Sequence, residues 1–161
     1  MNIQEKWYFE LNDLLYISDV CFAYRNGEPL RMDILSPNFQ KESNKKRPAI
    51  VYIHGGGWCG GEYKLFWNTM YMLWQSDYKI PLNILLAKEG FFTASIEYRL
   101  SGKAKFPAQI SDCKSAIRWL RYNADKYNID PNRIGVWGHS AGGHLASLVG
   151  TSAEVEELDE K

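Results

Sequence analysis

Two short stretches of this sequence carry residue types and spacings that suit acyl-transfer chemistry. The first is Gly138-His139-Ser140-Ala141-Gly142, a G-x-S-x-G directly after the apolar run RIGVWG. A serine at the tip of a sharp strand-to-helix turn displays its hydroxyl, and small flanking residues avoid collision with the neighbouring strand and helix. Such a turn points the Ala141 N–H, at a helix N-terminus, toward any oxyanion that develops. The second is His54-Gly55-Gly56-Gly57-Trp58, directly after AIVYI. Three glycines in a row let backbone N–H groups approach a ligand closely. Alone, the first also suits a glycine-rich turn and the second a flexible loop. Together, at two strand ends, they point to a serine nucleophile facing an oxyanion hole.

Those motifs need a sheet to hold them. Residues 19–25 and 30–35 read as two strands around an Asn26-Gly27 turn. Residues 49–53 read as a strand buried on both faces, with further strands at 91–97 and 133–138. Ile110, Cys113, Ile117, Leu120 and Ala124 lie on one helical face, just after Pro107. A second helical region lies within 65–89, broken by Pro81, and a third starts at about Ala141. This alternation predicts an α/β protein, mainly a parallel sheet with helices on both faces. The unit is read as one domain over 1–161, with residues 1–18 as an N-terminal extension and 153–161 as a frayed, solvated acidic tail.

Composition narrows the function classes. Nineteen Lys and Arg balance nineteen Asp and Glu in 161 residues, with 45% hydrophobic content. Zero net charge argues against a nucleic-acid binder or a polybasic membrane-surface protein. No signal-peptide pattern opens the chain, and no run approaches a membrane span. Cys21, Cys59 and Cys113 show no metal or disulfide spacing and fit a reducing cytoplasm, each as a small buried filler. Cys59 has a second reading, as a wall of the site beside the glycine loop. No metal or cofactor is expected.

The sequence resembles the α/β-hydrolases, in particular HGGG-type esterases: the hormone-sensitive-lipase-like enzymes and the bacterial feruloyl/acetyl-xylan-esterase-like group. The stretches that carry this are VYIHGGGWCGGE (51–62), residues 95–152 and, more loosely, LRMDILSP (30–37). The resemblance implies the N-terminal part of an α/β-hydrolase fold. It implies a serine hydrolase of carboxylic esters, with Ser140 as nucleophile and the N–H groups of Gly56, Gly57 and Ala141 as oxyanion hole; the apolar, aromatic segment at 63–78 suits a small neutral ester.

In that family an acid and then a histidine follow the nucleophile. After Ser140 the sequence holds one histidine, His144, a single turn along the same helix and badly aimed as a base. His139 is expected to point away from the reacting centre, and His54 to fix loop hydrogen bonds. The chain is therefore expected to be incomplete at its C-terminus and weakly active or inactive alone. Two alternatives stand: a non-catalytic fragment that needs a complementary chain or acts as a binding module, with an uncovered sheet edge that could drive oligomerisation, and a prolyl-oligopeptidase-like peptidase. Tyr63, Phe66, Trp67, Tyr71, Trp74 and Tyr78 read either as a core helix or as a cap over an acyl pocket. Glu97-Tyr98-Arg99 reads either as a charge network near the site or as a structural ion-pair cluster below the glycine loop, with Asp112 as a candidate polar partner.

Overall fold

A computed structural model describes residues 13–38, 46–64 and 82–159. Asn26 and Gly27 adopt positive φ of 50° and 82°, the pair of values a tight hairpin turn requires. They join β1 (Leu14–Arg25) to β2 (Glu28–Pro37) in antiparallel register. β2 then pairs antiparallel with β4 (Phe92–Ile96). β3 (Arg47–Ile53) lies parallel between β4 and β5 (Ile129–Gly138). The strand order is β1-β2-β4-β3-β5. The sheet is thus mixed: the hairpin turn dictates the antiparallel half, and the helical crossovers dictate the parallel half that carries both motifs.

Alternation along β2 assigns the two faces. Met32 and Ile34 enter the main core with Val51, Ile53, Ala94 and Ile96, all fully buried. That core also takes residues of α2 (Ala108–Tyr122) and of α3 (Ala141–Thr151). Leu35 faces the other way and packs on Ala87 of α1 (Leu82–Lys88). Each large apolar side chain so buried contributes about 1.5–3 kcal/mol, which makes the β2–β4–β3 centre the rigid platform.

The structure corrects three expectations. β1 begins at Leu14, so residues 14–18 are strand rather than extension. The acidic tail is exposed from Ala153 to Glu157 but anchored. Lys114 Nζ donates to Ser152 O at 2.6 Å and to Asp159 Oδ2 at 3.1 Å, Arg118 also reaches Asp159, and a 3-10 turn spans Glu156–Leu158. Burial would raise the Asp159 carboxyl, but hydrogen bonds from Arg118 and Lys114 outweigh it and hold the group below its ordinary value. Among the cysteines only Cys113 is a fully buried filler, its thiol pushed up by burial, whereas Cys21 is half-buried and Cys59 is exposed. The helical region expected within 65–89 falls inside the described residues only at α1. Of the aromatic segment only Tyr63 lies inside the described residues.

Candidate active site

Ser140 sits between β5 and α3 with φ 53° and ψ −124°, a strained conformation for a residue with a side chain. The turn is enforced by close approach. A Cβ on Gly142 would stand 2.0 Å from Ile53 O and 2.7 Å from His54 O. One on Gly138 would stand 2.6 Å from Ile53 O. The two glycines let the elbow press against the end of β3, where the glycine loop begins. His144 N–H donates to Ser140 O at 3.1 Å and Gly142 N–H to His139 O at 2.9 Å, so the helix starts at once.

The glycine loop folds back on itself. Gly56 has φ 117°, and its carbonyl accepts the N–H groups of Cys59 and Gly60 at 3.1 and 3.0 Å. A Cβ on Gly56 would meet Gly60 O at 2.3 Å. Among the described residues no backbone carbonyl takes the N–H of Gly56, Gly57 or Ala141. The strand ends that feed the glycine loop and the Ser140 turn are neighbours, Ile53 pairing with Gly138. Backbone amides with no carbonyl partner are the kind of group that can stabilise a tetrahedral oxyanion.

Each histidine has another engagement. His54 is 1% exposed, stacks on Tyr98 at 4.2 Å, and holds its Nδ1 2.7 Å from Gly55 O. A carbonyl only accepts, so Nδ1 carries the proton. Burial first, and then neighbouring His139, lower its pKa and keep the ring neutral. His139 packs behind Gly55 and pairs its Nδ1 with Tyr52 OH at 3.0 Å. His144 turns edge-on to Trp58, ring centroids 5.3 Å apart. Among the described residues no histidine hydrogen-bonds the Ser140 hydroxyl.

Of the anticipated ion-pair cluster, Arg99 and Asp112 come together, whereas Glu97 accepts the Arg31 N–H at 3.1 Å. Arg99 Nε and Nη2 grip the two oxygens of fully buried Asp112 at 2.8 Å each, and Arg25 Nε lies 3.3 Å from Oδ1. Gln109 Nε2 donates to Arg99 O at 2.9 Å and Ala104 O at 2.8 Å. α2 thereby fixes the segment after β4. That segment in turn holds the glycine loop, through Tyr98 OH to His54 O at 3.0 Å and Ser101 N–H to Trp58 O at 2.7 Å. Sequence reasoning missed Tyr52 and Asp33. The signal for Asp33 was a carboxylate inside the apolar strand LRMDILSP, which must be buried with partners. Among the described residues no group of three or more His, Cys, Asp or Glu could hold a metal ion, and no helix is long and apolar enough to cross a membrane.

The mixed sheet, the strained serine at a strand-to-helix turn and the facing glycine loop define an α/β-hydrolase. The BD-FAE pattern matches residues 32–161, and the chain belongs to that family. It is 35% identical to arylacetamide deacetylase of Bos taurus over 112 residues, covering 68% of this chain and 26% of that protein. It is 36% identical to esterase LipC of Mycobacterium tuberculosis over 109 residues, covering 68% and 24%. Among solved structures, the thermophilic esterase Est2 of Thermogutta terrifontis superimposes with a TM-score of 0.67 at 28% identity, over 86% of this chain and 44% of that one. A bifunctional GH43-CE protein of Bacteroides eggerthii does so at 0.65 and 36% identity, over 88% and 16%. The chain thus spans about a quarter of these curated relatives and under half of the Est2 esterase.

Proposed function

We propose that these residues form the nucleophile and oxyanion-hole half of a serine carboxylic-ester hydrolase. The observation that carries this is Ser140 at φ 53°, pressed by Gly138 and Gly142 against the strand that feeds the glycine loop. In the first step Ser140 Oγ bonds to the carbonyl carbon of a small neutral ester. The Gly56, Gly57 and Ala141 N–H groups hold the oxyanion. The bond to the alcohol then breaks, the hydroxyl proton leaves with the alcohol, and Ser140 remains acylated. The names of the relatives, an esterase and an arylacetamide deacetylase among them, support ester or amide acyl transfer and lend nothing to a peptidase.

Both half-reactions are accelerated by a base, which first takes the Ser140 hydroxyl proton and then activates water. His54, His139 and His144 are each committed elsewhere, so these residues retain only the roughly 10³–10⁴-fold rate advantage over water left when a triad member is lost. Peptide mapping after incubation with p-nitrophenyl acetate tests the reading. An acetyl group on Ser140 that vanishes in Ser140→Ala is the expected result. Acetyl groups confined to lysines would overturn it.

A second reading is favoured by β5, which pairs only with β3 among the described residues and leaves Ile134, Val136 and Trp137 partly exposed. An open strand edge beside apolar side chains invites a further strand. We assign that edge to association, with a complementary chain or a second copy. Light scattering on the purified chain should show a dimer or larger species; a monomer at every concentration would count against it. The free Cys21, Cys59 and Cys113 support a reducing, cytoplasmic setting.

A further inference from the structure

Opposite Asp33 the β1–β2 ladder is irregular. Ile17 pairs with Ile34 and Val20 with Met32, so Ser18 and Asp19 together face the single residue Asp33. This is a β-bulge, and Asp19 takes its positive φ of 58° there. Asp33 is fully buried, accepting the Asp19 N–H at 2.9 Å and the Tyr16 hydroxyl at 2.8 Å. Two carboxylates one bulge apart need a cation. Lys64 supplies it, with Nζ 2.6 Å from Asp19 Oδ1 and 3.5 Å from Asp33 Oδ1. The Tyr63 hydroxyl also donates to Asp19.

Tyr63 and Lys64 are the residues through which the chain leaves the glycine loop. Just before them Gly61 packs so closely that a Cβ would stand 2.3 Å from Gly55 O. The loop entrance is held by Tyr98 and its tip by Ser101. Its exit is held here. We propose that Asp19, Asp33 and Lys64 form a latch that fixes the exit of the glycine loop and so acts as a positioning device for the Gly56 and Gly57 amides. This rests on the esterase reading for its purpose but not for its test.

Hydrogen bonds from Lys64, then from Tyr63, hold the Asp19 carboxyl below its ordinary value. Arg31 also acts on Asp19. Asp33 keeps its Tyr16 and Asp19 partners when Lys64 is removed, so the loss is local rather than global.

Hydrogen exchange on the whole chain, resolved by peptide mass spectrometry, tests this. In Lys64→Met the Cys59 and Gly60 amides should exchange about tenfold faster, the size of change one charged hydrogen bond supplies. Amides of β3 and α2 should stay as in the parent, and Lys64→Arg should restore protection. Unchanged exchange at Cys59 and Gly60 would overturn the latch, as would an equal rise throughout the molecule. If Lys64→Met does not fold, Tyr63→Phe removes only one hydroxyl and gives the same readout. Failure to acylate Ser140 in the parent chain would sink the esterase reading and leave these exchange rates untouched.

Discussion

Two residues show how much a single atom decides in this site. Gly142 lets the elbow touch β3, because any Cβ there would sit 2.0 Å from Ile53 O. Gly142→Ala should force the strand and helix apart and cost roughly 2–4 kcal/mol, read as a lower urea midpoint. An unchanged midpoint would mean that the elbow is not pressed against β3. His54 shows the same economy in charge. Burial lowers its pKa from the ordinary 6.5, so the unfolded chain binds the proton more readily. The linked stability is full above 6.5 and falls as pH drops from there toward the lower folded value. Melting temperature should therefore decline between pH 7.5 and 5 more in the parent than in His54→Asn, and equal slopes would contradict this. Both residues were legible as types in the sequence. That burial keeps His54 neutral was not, because the ring is covered by Tyr98 from the segment after β4.

At the scale of elements, the site depends on a relay. α2 grips the segment after β4 through Asp112 and Gln109, and that segment grips the glycine loop through Tyr98 and Ser101. Removing one partner of a buried ion pair typically costs about 3–5 kcal/mol, and the remaining Arg25 contact should reduce that here. Arg99→Ala should thus lower the melting temperature clearly; an unchanged value would refute a structural network. The helical face from Ile110 to Ala124 and the hairpin at Asn26-Gly27 were readable because each is a local period or turn. The start of β1 was not. The bulge at Ser18-Asp19 inserts a residue into the two-residue period, so the strand's alternation breaks where Asp33 needs it to.

Across the whole molecule, the two motifs were legible because each is a glycine-rich turn following an apolar run. Their adjacency followed only from the family resemblance, since the order β1-β2-β4-β3-β5 is set by long-range pairing that no local period encodes. That order places the ends of β3 and β5 side by side, so the glycine loop and the Ser140 turn leave the sheet from neighbouring strands. It also leaves β5 with one partner strand among the described residues. On the proposed reading Ser140 and the loop amides are an acyl acceptor and its oxyanion cradle, while His54, His139 and His144 are engaged with Gly55, Tyr52 and Trp58. The central claim is that Ser140 can be acylated by this half-site but not turned over. A time course of p-nitrophenol release from p-nitrophenyl acetate, followed with intact mass, tests it most directly. The account predicts slow release that stops at one equivalent, a persistent acetyl group on Ser140, and neither in Ser140→Ala. Continuous rapid turnover abolished by Ser140→Ala, or release with no adduct on Ser140, would contradict it.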